Sequence, residues 1–278
     1  MRWFHSWMLV TVCCCPGGLR AQLQLLPAEK PQSIFAGMAR NVTTTWRNDG
    51  TETASVDLRA CVFQTSSSTA AHSSDTSGRR LEVPAGETVI ENVVLQFPAV
   101  RAKTGFLVQW MEGTNRLLGN TRVVIYPTNL LAELKTLMDG NILGVLDPNN
   151  TLKPLLKQNG VKFVDLEEAS LEEFRGKLAL IGPFQSPGRM RADLASTMVT
   201  MVEKGVALVW FQPPSDWDDE LRPSYCVIPH GKVALVVVQP ELIAGLSEIP
   251  RPQLNLVYFC KQALSPNPVS PLGLSQSP

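Results

Sequence analysis

The sequence has no excess of charge of either sign, because 25 lysines and arginines balance 25 aspartates and glutamates. Proteins that hold nucleic acid or an anionic membrane surface by their overall charge carry a basic excess. A nucleic-acid partner is therefore not predicted. A glycine-rich phosphate loop is missing too, since the first apolar strand of the second half leads into Asp147-Pro148-Asn149-Asn150-Thr151. We therefore predict no nucleotide cofactor. A cofactor of another kind is not predicted either.

The sequence also has no apolar run of about 20 residues, the length that crosses a bilayer. The apolar run near the N-terminus extends from Trp7 to Cys15 and ends at Pro16-Gly17-Gly18. It follows one basic residue, Arg2, and precedes Ala21, a small residue typical of cleavage sites. We predict that residues 1–21 are a signal peptide and that the mature chain has no transmembrane segment. The protein is then exported to the periplasm or the cell exterior.

A lipoprotein is the alternative to a freely exported chain, because Cys13, Cys14 and Cys15 end the apolar run and each offers a thiol for acylation. Lipoprotein processing requires a small residue before the cysteine. Cys13 follows Val12, and the other two follow cysteine. Export without lipidation is therefore favoured.

Few cysteines remain beyond this leader, namely Cys61, Cys226 and Cys260. Their number is odd, so at least one has no partner within the chain in an oxidising compartment. Cys226 and Cys260 fall in the same predicted domain and could pair. The favoured interpretation is that all three are buried thiols used as small apolar residues, and no disulfide framework is predicted.

Short alternating segments dominate residues 22–127. Val42 to Trp46 alternates and leads into the turn Asn48-Asp49-Gly50, and Ala54 to Gln64 alternates again. Residues 66–80, rich in serine, threonine and alanine, predict a mobile loop. About seven such strands predict an antiparallel β-sandwich.

Two sequence features carry a resemblance for this part of the chain. Phe35-Ala36-Gly37 is followed by an alternating strand that ends in Trp46-Arg47-Asn48-Asp49-Gly50. This pattern resembles the immunoglobulin-like modules of exported bacterial proteins. The resemblance implies an all-β sandwich over residues 22–127, and it implies nothing about a ligand.

Apolar strands alternate with helices over residues 128–264, which predicts a parallel sheet covered on both faces. A tail rich in proline and serine, residues 265–278, is predicted to be disordered. The predicted strands are Ile142–Leu146, Val161–Val164, Leu178–Ile181, Val206–Phe211, Tyr225–Ile228 and Val233–Val238, and the predicted helices are Asn129–Met138, Thr151–Gln158, Leu171–Arg175, Arg191–Lys204, Glu241–Leu246 and Gln253–Leu264.

This order of elements resembles the flavodoxin-like domain of class I glutamine amidotransferases and their non-catalytic relatives. The resemblance implies a doubly wound, mostly parallel α/β sheet with a nucleophilic cysteine on the turn after the third strand. Here that turn, residues 182–188, contains no cysteine. Ser186 could replace it, but its only bases would be His72 and His230, and no orienting acid is evident.

Cys226 and His230 lie four residues apart, which invites a catalytic dyad or a metal site. Pro229 is expected to break the strand between them, and no second pair of ligands lies nearby in the sequence. A buried thiol and a solvated turn histidine are favoured, so we predict no metal site.

Open parallel sheets bind ligands outside the carboxyl ends of their strands. At those ends the sequence places Asp147, Asp165, Phe184, Ser186 and Gln212, which are the candidate ligand-binding residues. Capping of the following helix or turn by the two aspartates is the favoured alternative, because Asp and Asn satisfy the free amides of a helix start.

Two functions remain open from the sequence. The favoured one is a non-enzymatic binding or assembly protein with an envelope protein or a polysaccharide as its partner. The alternative is a degenerate amidotransferase-like hydrolase or transferase, with carbohydrate as a candidate substrate, which requires a deep pocket with converging polar groups. A role as a subunit of a membrane-bound complex is a third hypothesis.

Overall fold

The structure is a computed structural model and describes residues 23–65, 71–75, 78–169, 171–184, 192–212 and 223–266, with the backbone alone at 71–75. The predicted signal peptide and nearly all of the predicted tail lie outside these ranges. The chain forms two compact units, and neither is continuous in sequence. The first contains the described residues up to 31 with 39–96 and 106–122, and the second contains 32–38, 97–105 and the described residues from 123 onward. The domain boundaries at residues 127 and 264 stay predictions.

Strands outnumber helices in both units. In chain order the strands are β1 (Leu23–Leu26), β2 (Gln32–Phe35), β3 (Ala39–Asn48), β4 (Ala54–Gln64), β5 (Ala71–Asp75), β6 (Arg79–Val83), β7 (Thr88–Gln96), β8 (Thr104–Glu112), β9 (Arg116–Tyr126), β10 (Leu143–Leu146), β11 (Val164–Asp165), β12 (Leu178–Ile181), β13 (Ala207–Phe211), β14 (Tyr225–His230) and β15 (Val233–Val238). The α-helices are α1 (Glu133–Met138), α2 (Lys153–Gln158), α3 (Leu194–Glu203) and α4 (Pro250–Leu264), and 3-10 turns cover Leu130–Ala132, Leu171–Glu173 and Pro240–Ile243.

These strands form three sheets. Sheet I has the order β1-β3-β7, sheet II the order β2-β9-β8-β4-β5 with β6 beside β4, and sheet III the order β11-β10-β12-β13-β15-β14. Sheet I is antiparallel. Sheet II is mixed, because β2 pairs with β9 in parallel while β4 is antiparallel to β5, β6 and β8.

The first unit is built around two tryptophans. Strand β3 alternates between buried and outward residues, so Thr44, Trp46 and Asn48 point inward. The rings of Trp46 and Trp110 meet edge to face, with centroids 6.4 Å apart and planes at 82°. Both side chains are fully buried, and edge-to-face contacts of this kind are favourable for aromatic pairs.

Asn48 fixes the turn that follows β3. Its Oδ1 accepts the N–H of Gly50 at 3.0 Å, and its Nδ2 donates to the carbonyls of Glu52 at 2.7 Å and Val83 at 3.0 Å. The side chain is completely buried, so these bonds satisfy an amide that would otherwise be costly to bury. The turn at Asn48-Asp49-Gly50 therefore has a tertiary support as well as a local one.

Sheet III carries the core of the second unit. Strands β10 and β12 are buried at every position, as expected of strands covered on both faces. One apolar cluster joins the sheet to α1, α2 and α4, and another joins the opposite face to α3. Among the described residues no helix is long and apolar enough to cross a membrane.

The predicted fold class is wrong. The chain is a mixed α/β protein with three sheets, 22% helix and 42% strand, and not an all-β sandwich followed by a doubly wound domain. The parallel pairing of β2 with β9 makes sheet II mixed. In sheet III the predicted strand Val161–Val164 is reduced to Val164–Asp165, and the predicted helix Leu171–Arg175 is a single 3-10 turn. Parallel crossovers usually contain an α-helix, and this one has a 3-10 turn in its place.

Local differences accompany this correction. Residues 66–80, predicted as a loop, contain β5 and the start of β6. Pro229 does not break β14, because the strand continues through it to His230. Gly231 and Lys232 form a two-residue turn, so His230 is the residue of β14 that exchanges backbone hydrogen bonds with β15. The backbone nitrogen of Pro229, which has no hydrogen to donate, therefore faces away from β15. A proline is tolerated at such a position of an edge strand.

Candidate functional site

Asp147 follows β10 and binds the start of the next helix. Its Oδ1 accepts the N–H of Thr151 at 3.0 Å, and its Oδ2 accepts those of Leu152 at 2.7 Å and Lys153 at 3.0 Å. The residue is 1% exposed. A carboxylate placed on the first amides of a helix satisfies donors that the helix leaves free. Both oxygens of this buried carboxylate are thus engaged by the protein itself.

Asp165 ends β11 and is joined to the same helix start. Its Oδ2 lies 2.6 Å from Lys153 Nζ, and its Oδ1 accepts the N–H of Glu167 at 3.0 Å. Burial alone would raise the pKa of the Asp165 carboxyl, but the hydrogen bonds from Lys153 and Glu167 and the positive charges of Lys153 and Lys157 outweigh it, and the pKa lies below its usual value. The carboxylate form is therefore stabilised, as in an ion pair.

Lys153 completes this cluster through a second carboxylate, Glu167. Its side chain is 12% exposed. Burial by itself would lower the pKa of the Lys153 amine. The hydrogen bonds to Asp165 and Glu167 and the charges of these two carboxylates outweigh burial, so the pKa lies above its usual value. Lys153 thus connects Asp147, which binds its backbone N–H, to Asp165, which binds its ammonium group.

The remaining described candidates make other contacts. Phe184 is 4% exposed and packs in the apolar cluster on the α3 face of sheet III. Gln212 donates its backbone N–H to the Val238 carbonyl at 2.9 Å. The turn after β12 requires glycine at position 182, because its φ is +91° and a Cβ there would lie 2.8 Å from the Phe211 carbonyl oxygen. Ser186 lies outside the described residues.

Cys226 and His230 do not form a pair. They lie four residues apart on a regular strand, a separation of about 13 Å. Burial raises the pKa of the Cys226 thiol, which disfavours the thiolate that nucleophilic or metal chemistry uses. Among the described residues no group of three or more His, Cys, Asp or Glu side chains is placed to hold a metal ion.

Cys226 and Cys260 are free thiols. The ring of Tyr225 packs on Phe259 of α4, with centroids 5.2 Å apart. Since neighbouring side chains of a strand point to opposite faces, Cys226 points away from α4, whereas Cys260 lies buried between α4 and the sheet. The sheet therefore separates the two sulfur atoms.

One concave site was not predicted from the sequence. It is a depression of about 270 Å³ in the first unit, named here the threonine pocket, and it is lined by Leu25, Leu26, Pro27, Ala28, Thr43, Thr44, Thr45 and Thr121. The run Thr43-Thr44-Thr45 is visible in the sequence, but its alternation only predicts a strand. The approach of Thr121 from β9 depends on tertiary structure.

Comparison with known proteins identifies no family. No protein-family model and no curated protein matches the chain. Among solved structures, the alkylpurine DNA glycosylase AlkC of Pseudomonas fluorescens is similar at 12% identity with a TM-score of 0.30, over 39% of this chain and 32% of that one. A β-glucosidase of Listeria innocua is similar at 12% identity with a TM-score of 0.29, over 38% and 16%.

The similarity to a GH3 β-glucosidase of Bifidobacterium adolescentis is of the same kind, at 14% identity with a TM-score of 0.27 over 38% of this chain and 17% of that one. This chain thus spans a third or less of the length of each of these proteins. Similarities of this size do not identify a fold or a function for the chain.

Proposed function

We propose that the protein is an exported, non-enzymatic binding or assembly protein whose partner is an envelope protein or a polysaccharide. The observation that carries this proposal is the engagement of Asp147, whose two oxygens accept three backbone N–H groups. A carboxylate held in this way supports the fold of the strand-end rim, by which we mean the carboxyl ends of the parallel strands of sheet III. It is not presented to a substrate.

The other described rim residues support the same proposal. Asp165 is held by Lys153, and Phe184 is buried among apolar side chains. A hydrolase of amidotransferase type would require a free acid, base or nucleophile at this rim. No specific contact among the described residues favours that alternative.

The proposal is tested with the full mature chain, residues 22–278, in two parallel assays. In the first, retention of the chain on envelope polysaccharide and on detergent-solubilised envelope proteins is measured as a function of chain concentration, with heat-unfolded chain as the control. We expect saturable retention on one of the two materials and none for the unfolded chain. Absence of saturable retention on both contradicts the proposal.

The second assay measures turnover, as ammonia released from glutamine and as reducing sugar released from envelope polysaccharide. We expect no release above that of a heat-unfolded sample. The matched variants are Asp165→Asn and Ser186→Ala. Release by the wild-type chain that either substitution abolishes would establish the hydrolase alternative in place of the binding function.

A further inference from the structure

The threonine pocket lies where β1 ends. Leu26 is the last residue of β1 to pair with β3, opposite Thr45, and the chain then turns away at Pro27. Pro27 and Ala28 are exposed, so the pocket opens to solvent. Its volume of about 270 Å³ is close to the lower end of small-molecule sites, about 300 to 1,000 Å³.

Two of the four threonines that line the pocket are buried. Thr44 and Thr121 are 3% and 7% exposed. Thr44 Oγ1 accepts the indole N–H of Trp46, and Thr121 Oγ1 accepts that of Trp110, both at 2.8 Å. Because the two indole rings pack against each other, the two hydroxyl oxygens are held in fixed positions. Binding of a ligand would therefore not have to fix these two side chains first.

One of these hydroxyl groups still has a hydrogen to donate. A threonine hydroxyl has one hydrogen and two acceptor lone pairs. Thr44 donates its hydrogen to the Glu91 carbonyl at 3.2 Å. Thr121 accepts from Trp110, and among the described residues no acceptor takes its own hydrogen. A buried donor without an acceptor is costly, so a ligand oxygen at this position would gain a favourable bond.

The lining restricts the chemistry of the ligand. It contains no charged side chain, and its apolar part comes from Leu25, Leu26, Pro27 and Ala28. A charged ligand would lose hydration here without gaining an opposite charge. The ligand that fits is uncharged, has an apolar face for the β1 side and carries oxygen atoms for the threonine side.

We infer that the threonine pocket binds one uncharged pyranose unit of a polysaccharide. A pyranose ring has C–H faces that suit the apolar side of the pocket and ring-edge oxygens that can accept the Thr121 hydrogen. This inference rests on the proposed binding function and assigns its partner to carbohydrate. A single sugar unit makes few contacts, so we expect a dissociation constant of about 1 mM for a monosaccharide.

The test is a titration of the mature chain with methyl β-D-glucopyranoside, followed by tryptophan fluorescence and by calorimetry. Fluorescence is informative because Trp46 and Trp110 donate to the hydroxyl groups in the pocket. We expect a saturable change in both signals. Glucuronate, which is charged, and cyclohexanol, which lacks the ring oxygens, should bind at least about tenfold more weakly, a difference of about 1.4 kcal/mol.

Ala28→Phe tests the location, because it places a ring at the pocket mouth on an exposed residue. Ala85→Phe, in an exposed turn of the same unit, is the matched control. We expect Ala28→Phe to weaken sugar binding at least about tenfold and Ala85→Phe to leave it unchanged, with both unfolding midpoints close to that of wild type. Equal sugar binding by both variants overturns the inference.

Two other results also overturn it. One is the absence of saturable sugar binding up to about 50 mM, well above the affinity expected for a single sugar unit. The other is equal affinity for cyclohexanol or glucuronate. Neither result bears on retention by envelope proteins, so a chain that is retained there without binding sugar refutes the inference and leaves the proposed function standing.

Discussion

Lys153 Nζ lies 2.6 Å from Asp165 Oδ2, which joins the first turn of α2 to the last residue of β11. Strand β11 is an edge strand with only two ladder positions, opposite Gly144 and Val145 of β10. So short a strand has little ladder energy of its own. The ion pair, together with the buried Leu166 that follows, holds it at the edge of sheet III.

The first prediction concerns this ion pair. Asp165→Asn removes one of the two negative charges that pair with the ammonium group of Lys153, whose side chain is 12% exposed. Only Glu167 then remains as its charged partner. We expect the free energy of unfolding, measured with urea at pH 7, to fall by about 1.5 kcal/mol, the size of a hydrogen bond to a charged group. Asp49→Asn is the control, because its pair with Arg47 is exposed, and it should change stability little. Equal effects of the two substitutions would contradict the prediction.

The same pair predicts a pH dependence of stability. The pKa of Asp165 is lowered in the folded chain and that of Lys153 is raised. The contribution of Asp165 is therefore present above its unfolded pKa of about 3.9 and is lost as the pH falls through its lowered folded value. That of Lys153 is present below its unfolded pKa of about 10.4 and is lost as the pH rises through its raised folded value.

The measurement is the difference in unfolding free energy between wild type and Asp165→Asn, from about pH 2.5 to about pH 8, a range that contains the ordinary carboxyl pKa values of about 4. We expect the difference to be constant above about pH 5 and to shrink in acid below about pH 4. A difference that grows towards low pH would show that the carboxylate destabilises the folded chain.

The second prediction concerns Asp147. Asp147→Ala leaves the N–H groups of Thr151, Leu152 and Lys153 without their acceptor. Loss of a capping side chain costs about 1 to 2 kcal/mol, and we expect a loss of that size in urea unfolding. Glu168→Ala, an exposed acidic residue nearby in the chain, is the control and should be nearly neutral. If Asp147→Ala is as stable as wild type, the carboxylate is not a structural cap.

The third prediction concerns the first unit. Thr121→Val removes the acceptor of the Trp110 indole N–H, which is fully buried. A buried donor without an acceptor costs about 1 to 3 kcal/mol, and we expect that loss together with a changed tryptophan emission spectrum. Thr88→Val, at an exposed position of β7, serves as the comparison and should be neutral. An unchanged unfolding midpoint for Thr121→Val would refute the role of this bond.

The fourth prediction concerns the thiols of Cys226 and Cys260, which lie on opposite faces of sheet III. Burial raises the pKa of the Cys260 thiol to about 12, so it should react with maleimide only after unfolding. Cys226 is half-buried and should react slowly in the folded chain. Mass spectrometry of alkylated peptides locates the modified thiols and separates them from Cys61, with Cys226→Ala as the control. A disulfide between the two residues would contradict the arrangement.

Local structure could be predicted from periodicity where a segment's pattern is strong. The bounds of β4, β12 and β15 are those expected from the sequence. Strand β11 is shorter than predicted, and Leu171–Glu173 is a 3-10 turn where a helix was predicted. In short apolar segments, periodicity alone does not distinguish strand, helix and turn. β1 and β2 were not assigned as separate strands, since short strands depend on the partners that they pair with.

The candidate site could be predicted only at the level of residue types. An aspartate just before a helix start predicted that its carboxylate would accept the first N–H groups of that helix. Asp147 does so. Nothing in the sequence indicated that Lys153 would meet Asp165, because the two residues lie on different elements that only folding brings together. For the same reason the sequence did not indicate that Thr121 of β9 and Thr44 of β3 would line one pocket.

Local order and composition set which residues alternate inward and outward, the balance of charge and the lack of a membrane-spanning run, so these features could be predicted without the fold. The fold, by contrast, set the parallel pairing of β2 with β9, the separation of Cys226 from Cys260 and the bond from Trp110 of β8 to Thr121 of β9. Each of these depends on which other segment of the chain lies alongside. The pattern of apolar and polar residues predicts the face of the strand or helix on which a side chain lies, but it does not predict which residue that side chain contacts.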